Sequence, residues 1–233
     1  MNQIKKAVFN WSGGKDSALA LQKTLKNKAI EVVALFTTFN EETGKSSMHS
    51  VPLDLLTRQA DSIGIPLYIM SFSKDLKNYD EKMLEAVTHF KALGVTHFIF
   101  GDLMAAGLKN YRESKLNPLG IEIIEPLYDK SSEEIMHEFL ESGIKTKIIV
   151  TQEGKLDKNY IGKILDQNLI KTFPTDIDIC GEQGEYHTLA YEGPLFKDPI
   201  DFSIVALYET SYEFKLEDGN IQTCVYWSAE FNL

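Results

Sequence analysis

Cysteine is nearly absent. Cys180 and Cys224 stand far apart in 233 residues and leave no material for a disulfide framework or a four-cysteine zinc site. They read as reduced thiols, which points to a cytoplasmic setting. Histidine is scarce too. Its five residues never recur in His-x-x-x-His spacing, which excludes a zinc hydrolase of that pattern. Positive charge is outnumbered, 24 Lys and Arg against 34 Asp and Glu, for a net charge of −10. That balance argues against a nucleic-acid partner held over a broad face, but leaves room for a local basic pocket that holds a small anion. No apolar run approaches the roughly 18 residues that cross a bilayer, so no membrane partner is expected. The apolar part of the opening stretch is too short for a signal segment and runs into a glycine loop, so it reads as a first strand.

What is present is an alternation of short apolar runs with longer amphipathic ones. Strands are expected at Ala7 to Trp11, Ile30 to Phe39, Pro66 to Phe72 and His97 to Phe100. Helical spacing of apolar residues marks Asp16 to Lys26, Val51 to Ile63 and Tyr79 to Leu93. Strand and helix in turn, with short connections, imply right-handed crossovers and an α/β fold with a parallel sheet covered on both faces. Ligands of such sheets sit beyond the carboxyl ends of the strands. The loop at Ser12, the polar stretch from Asn40 to Ser50 and Gly101-Asp102 all follow strands and are expected at that edge.

The second half differs. A Ser-x-x-Glu capping pattern, Ser131 to Glu134, opens a helix, and a strand follows over Lys145 to Thr151. A lysine-rich, partly helical stretch runs to about Phe173. Gly181 to Thr188 reads as a polar loop. The tail from Ile200 to Phe231 alternates around Glu217-Asp218-Gly219-Asn220, the signature of a hairpin. Two domains are expected, 1–128 and a smaller α+β unit over 129–233. The tail aromatics suit either hairpin core or a subunit interface, and the latter implies a homodimer.

Ser12-Gly13-Gly14-Lys15-Asp16-Ser17 lies between the first strand and the first helix. A helix N-terminus presents unpaired N–H groups and the positive end of the helix dipole. Two glycines let the backbone approach phosphate oxygens, the serines add hydroxyl donors, and Lys15 adds a cation. Asp16 can cap the helix or help to hold Mg²⁺. An ordinary glycine turn with a serine cap is the plainer alternative. The string is not Walker A, because Phe9 stands where the first glycine is needed and Asp16 follows the lysine. It is not Gly-x-Gly-x-x-Gly either, which disfavours a dinucleotide fold.

The string resembles the PP-loop of the ATP pyrophosphatases, which cleave ATP between the α and β phosphates and form adenylates. Two further segments carry the resemblance on. One is Gly101-Asp102 with Lys109-Asn110-Tyr111-Arg112-Glu113, Gly120-Ile121-Glu122 and Glu125-Pro126-Leu127. The other is Cys180-Gly181-Glu182-Gln183-Gly184-Glu185-Tyr186-His187-Thr188 with Gly193-Pro194-Leu195-Phe196. Together they are similar to the diphthine–ammonia ligase family over Ala7 to about Phe196. The resemblance implies a nucleotide α-hydrolase-like, Rossmann-like sheet with a smaller substrate domain. It also implies ATP with Mg²⁺, adenylation of a carboxylate, and displacement of AMP by ammonia. The phosphates fall to Ser12, Gly13, Gly14, Lys15, Asp16 and Ser17. Asp102, Arg112, Glu182, Glu185 and His187 become candidate catalytic residues. Candidate substrate contacts are His49, Glu113, Gly184, Tyr186 and Thr188.

The ligases of that family usually carry Glu-Gly-Gly-Glu-Phe/Tyr-Glu-Thr in the second segment, whereas Gln183 and His187 stand here for a glycine and a glutamate. The His form looks like a bacterial branch linked to corrinoid salvage. Two acceptors therefore stay open, a diphthine-type protein and a small-molecule carboxylate. Each residue also has a plainer reading. Glu182 and Glu185 can be solvated loop carboxylates, Arg112 and Glu113 a surface helix pair, and His187 a packed loop histidine. His89, His97 and His137 read as structural. Cys180 lacks a Cys–His pairing signal and is not read as a nucleophile. A nucleotide sensor similar to the universal stress proteins is the non-catalytic rival, and the glutamate loop and Arg112 argue against it.

Overall fold

The computed structural model describes residues 4–42, 44–46, 51–72, 78–103, 108–215 and 221–232. The first half runs β1 (Lys5–Asn10), α1 (Lys15–Lys26), β2 (Ile30–Asn40), β3 (Lys45–Ser46), α2 (Leu53–Ile63), β4 (Leu67–Phe72), α3 (Tyr79–Ala92), β5 (His97–Ile99), α4 (Leu108–Leu116) and β6 (Glu122–Ile124). Five strands pair in parallel in the spatial order β4-β2-β1-β5-β6. The two residues of β3 add an antiparallel pairing to the far end of β2. The chain winds outward from β1 through β2 to β4, then returns to the other side of β1 for β5 and β6. Reversal of direction with constant crossover hand sends α1 and α2 to one face and α3 and α4 to the other. The core shows this residue by residue. Ala7, Phe9, Leu35 and Ile99 pack with Ala18 and Leu21 of α1 and Leu55, Leu56 and Ala60 of α2. Val8, Ala34, Phe36 and Phe98 pack with Ala86, Val87 and Phe90 of α3 and Leu116 of α4.

The second half contains α5 (Ser132–Glu141), β7 (Lys145–Gln152), α6 (Gln167–Ile170), β8 (Tyr186–Glu192), β9 (Ser203–Lys215) and β10 (Ile221–Asn232). Its four strands form an antiparallel sheet in the order β8-β7-β10-β9. The Ser131 side chain accepts from the Glu134 N–H, and Glu134 reaches back to the Ser131 N–H, so the capping box closes as its sequence implies. The register Lys215 to Ile221 brings β9 and β10 together as a hairpin, while its expected turn at 217–220 lies outside the described residues.

This half docks on the α1/α2 face. Ile135, Phe139, Ile148, Leu189 and Ala190 belong to the same buried cluster as Phe9 and Leu21. Gln22 of α1 donates to the Ser142 carbonyl at 3.1 Å, and Glu138 pairs with both Lys23 and Lys130. The sequence periodicity missed β6, whose three residues are too short to carry a period, and α4, whose apolar stripe reduces to Leu116. The loop expected over 181–188 is shorter than anticipated, because Tyr186, His187 and Thr188 already belong to β8.

Candidate active site

The winding reverses between β1 and β5, which sit side by side. At such a switch point the loops beyond the two strand ends diverge and leave a crevice. Residues 12–17 follow β1, and Gly101-Asp102 follow β5. Their approach is tight: a Cβ placed on Gly101 would lie 2.9 Å from Ser17 Cα and 3.1 Å from Ser17 N. A side chain there would press on the backbone of the phosphate loop.

The phosphate loop is held from within and from outside. Ser12 Oγ lies 3.0 Å from Ser17 Oγ and accepts from the Gly14 N–H at 3.4 Å, and Ser17 Oγ donates to the Gly14 carbonyl at 3.1 Å. Gly13 turns through φ +81°, a region open to glycine. Gly14 caps α1 without a side chain, so the first turn takes its partners from elsewhere. The Lys15 N–H donates to Thr188 Oγ1 at 2.9 Å, and the Gly13 carbonyl accepts from the Ala190 N–H at 2.8 Å. Strand β8 is thereby sewn to the loop.

Lys15 is buried, and its ammonium pairs with both Asp16 oxygens at 2.7 and 2.6 Å. Burial works against that charge, but Asp16 foremost outweighs it and raises the Lys15 pKa. The Asp16 carboxyl is pushed up by burial; Lys15 pulls it down and Asp102 adds repulsion.

Opposite the loop, Arg112 Nη1 donates to Asp102 Oδ2 at 2.6 Å and to Glu125 Oε1 at 3.2 Å, and its guanidinium lies 3.9 Å from the Phe100 ring centre. The cluster joins the ends of β5 and β6 to α4. Glu125 escaped sequence reasoning as a site residue because β6 itself did. Its side chain is 3% exposed, its Oε2 has no hydrogen-bond partner among the described residues, and burial pushes its carboxyl up against the pull of Arg112.

Residues 178–185 form the third wall. Asp178 Oδ1 accepts from the N–H groups of Cys180 at 2.8 Å and Glu182 at 3.3 Å, and Oδ2 accepts from Ser132 Oγ at 2.6 Å. Glu185 is fully buried, and its two oxygens accept from the Asp178 and Gln183 N–H groups at 3.0 and 2.9 Å. Glu185 thus shapes the loop, where the sequence had made it a candidate catalytic group. Glu182 projects from the loop. Partial burial of this exposed side chain's carboxyl, then the charges of Asp16, Asp178 and Asp102, push it up to about 7 against the pull of Lys15.

Tyr186, a candidate substrate contact, is buried instead; its ring packs on Phe173 and its hydroxyl donates to the Ile179 carbonyl at 2.5 Å. His187 is part-buried on β8, and burial, with the Lys15 charge added, pulls its imidazole down to about 4. The Cys180 thiol is pushed up to about 12 by burial and donates to the Ser132 carbonyl, which suits an inert thiol. Gly184 keeps φ +83° in the loop, and Glu113 is part-buried on α4. His49 lies outside the described residues.

Among the described residues no three His, Cys, Asp or Glu side chains are gathered tightly enough to hold a metal ion. The carboxylates of Asp16 and Asp102 are the oxygen donors a hard cation would meet beside the loop. Two other residues were missed. Asp178 gave no signal beyond its acidity. Gln59 did give one, being the polar residue one turn from Leu55, Leu56 and Ile63 on the apolar face of α2. Among the described residues no helix is long and apolar enough to cross a membrane.

Known proteins match both halves. Residues 5–123 match the diphthamide synthase N-terminal domain and residues 131–225 the diphthamide synthase C-terminal domain. A diphthine–ammonia ligase of Schizosaccharomyces pombe is 27% identical over 211 residues, which cover 81% of this chain and 34% of that one. The human diphthine–ammonia ligase is 25% identical over 214 residues, 81% of this chain and 79% of that one. The chain therefore spans 34% of the fission-yeast relative's length and 79% of the human one's. A tRNA-specific 2-thiouridylase MnmA of Coxiella burnetii is 33% identical over 133 residues, covering 46% of this chain and 36% of its own. Among solved structures, a predicted subunit of tRNA methyltransferase from Methanocaldococcus jannaschii covers 81% of this chain and 98% of its own at TM-score 0.46 and 14% identity. The two domain matches follow one another across both sheets, as the motifs at residues 12–17 and 180–188 led one to expect, and the chain belongs to the diphthamide synthase family.

Proposed function

We propose that this protein is an ATP-dependent ligase that adenylates a carboxylate, releases pyrophosphate and passes the acyl group to ammonia. The observation that carries the reading is the placement of residues 12–17 at the switch point, with β8 of the second half bonded directly to them. An anion-binding helix start is thus joined to the segment that would hold an acceptor. The relatives named diphthine–ammonia ligase support ammonia and a diphthine-type carboxylate as partners.

In this reading residues 1–128 bind the nucleotide and 129–233 the acceptor. Ser12, Gly13, Gly14, Lys15 and Ser17 hold phosphates. Mg²⁺ arrives with ATP as part of the substrate, taking most of its oxygens from phosphate and water, with Asp16 as the protein carboxylate beside it. Arg112, held by Asp102 and Glu125, faces the charge that builds on the leaving group or acyl adenylate. Glu182 is suited to accept a proton from ammonium, since its carboxyl titrates near 7. Glu185 and Thr188 position the loop and the helix start. The setting is cytoplasmic.

A second reading keeps the chemistry and changes the acceptor to a small-molecule carboxylate. It is favoured by His187, a neutral group at physiological pH where the resembling ligases carry glutamate.

The test uses ATP labelled on the α-phosphate, ammonium, and either a diphthine-bearing protein or a panel of small carboxylic acids. Acceptor-dependent AMP is the expected product. ADP would remove the PP-loop reading, and bound ATP that no acceptor turns over would favour a sensor.

A further inference from the structure

Gln59 bonds to Trp11 just after β1, to the phosphate loop and to β8. It sits on the inner face of α2 and is fully buried. Its Oε1 accepts from the Trp11 indole N–H at 2.9 Å. Its Nε2 donates to the Gly13 carbonyl at 3.1 Å and to the Ala190 carbonyl at 2.6 Å. The Gly13 carbonyl also receives the Ala190 N–H at 2.8 Å, so one carbonyl of the phosphate loop is fixed by both halves of the chain.

The contact is steric as well as polar. A Cβ on Gly13 would lie 2.7 Å from Gln59 Oε1 and 2.8 Å from Leu56 Cδ2. The positive-φ turn at Gly13 that leads into α1 is therefore seated against this side chain. A buried amide is costly unless every donor and acceptor is used, and a leucine would fill an apolar helix face without that demand. General stability does not account for an amide whose three bonds all end on residues bordering the loop.

We propose that Gln59 is a positioning residue for the phosphate loop, holding Gly13 in register with β8 so that the helix start is formed before nucleotide arrives. The inference rests on the ATP-binding reading above. It assigns Gln59 no contact with substrate. Loss of its amide leaves the Gly13 and Ala190 carbonyls without that donor and lets the loop shift relative to β8. Such a shift weakens the grip on phosphates and leaves ammonium binding alone.

The experiment compares Gln59→Leu, Gln59→Glu and Val95→Ala. Glutamate keeps the shape and the Trp11 bond but loses the amide donor. Val95 is buried in the cluster on the opposite face of the sheet and controls for lost stability. Hydrogen–deuterium exchange is read on peptides spanning 11–19 and 186–192, and KM is read separately for ATP and ammonium. Both Gln59 variants are expected to exchange faster in the two peptides and to raise the KM for ATP about tenfold or more, with the ammonium KM unchanged. Val95→Ala should do neither. Unchanged exchange in both peptides would overturn the proposal, as would equal effects in Val95→Ala. If Gln59→Leu does not fold, Gln59→Glu carries the comparison. A wild-type protein that binds no ATP would refute the parent reading, while the exchange data would still decide the role of Gln59.

Discussion

The Lys15 N–H donates to Thr188 Oγ1 across 173 residues of sequence, so the first turn of α1 is capped by a side chain from the second sheet. Gly14 has no side chain for this task, and burial keeps water from replacing the bond. Thr188→Val preserves volume but strands the N–H. It should cost about 1–2 kcal/mol in urea unfolding, the size of a lost N-cap in a buried setting. Thr188→Ser keeps the oxygen and should recover most of that. A valine variant with the wild-type unfolding midpoint would show that the bond does not support the interface.

Glu182 and His187 make opposite demands on pH. The Glu182 carboxyl titrates at about 7 in the folded chain and near 4.5 unfolded, so the folded state holds the extra proton and stability falls as pH rises from 4.5 through 7. His187 titrates at about 4 folded and near 6.5 unfolded, so the unfolded state takes the proton first and stability falls as pH drops from 6.5 through 4. The two slopes oppose each other in the wild type. Glu182→Gln should therefore show melting temperatures that climb more steeply between pH 4.5 and 7, and His187→Gln ones that decline over the same range. Thermal melts at matched ionic strength decide it. Parallel curves for all three proteins would mean that neither group is displaced from its ordinary value.

Much of this site was legible because its chemistry is local. The string at residues 12–17 lies between a strand and a helix that periodicity alone can place, and the order of elements puts its loop at the ligand edge. The rest is not local. No periodicity reveals that Thr188 caps α1, or that Arg112 divides itself between Asp102 and Glu125, because those contacts depend on how two sheets dock. Glu185 illustrates the converse. Its place in a glycine loop suggested chemistry, yet two backbone N–H groups occupy its oxygens, a use of carboxylate that composition cannot distinguish from catalysis. Tyr186 was read as part of a loop, but it is a strand residue facing the core. Gln59 was readable in principle, as a polar residue inside an apolar helical stripe.

The Arg112 cluster predicts a non-additive pair of substitutions. Glu125 has a side chain only 3% exposed, and Arg112 is its cationic partner at 3.2 Å. Arg112→Met leaves that carboxylate buried and unpaired, which should cost about 3 kcal/mol or more in denaturant unfolding. Adding Glu125→Gln removes the stranded charge, so the double variant should be more stable than Arg112→Met alone. Activity should stay low in both, because the guanidinium is gone. Simple addition of the two single costs would show that the two groups are not coupled.

Gly101 supplies the sharpest test that the switch-point crevice is the working site. Its backbone does not lie at positive φ, so alanine is conformationally permitted and any effect reports the contact alone. That contact is with main chain: the new Cβ would sit 2.9 Å from Ser17 Cα, 3.1 Å from Ser17 N and 3.2 Å from the Asp16 carbonyl. A helix backbone cannot swing aside as a side chain can, so the strand end and the phosphate loop must separate. Overpacking of this kind costs about 1–3 kcal/mol, and a displacement of about an ångström in a reacting group can lower turnover by two orders of magnitude. Gly101→Ala should therefore remain folded, with a melting temperature lowered by several degrees, and lose ATP-dependent AMP release out of proportion to that loss. An alanine variant that is destabilised yet forms AMP at the wild-type rate would place the chemistry somewhere other than between β1 and β5.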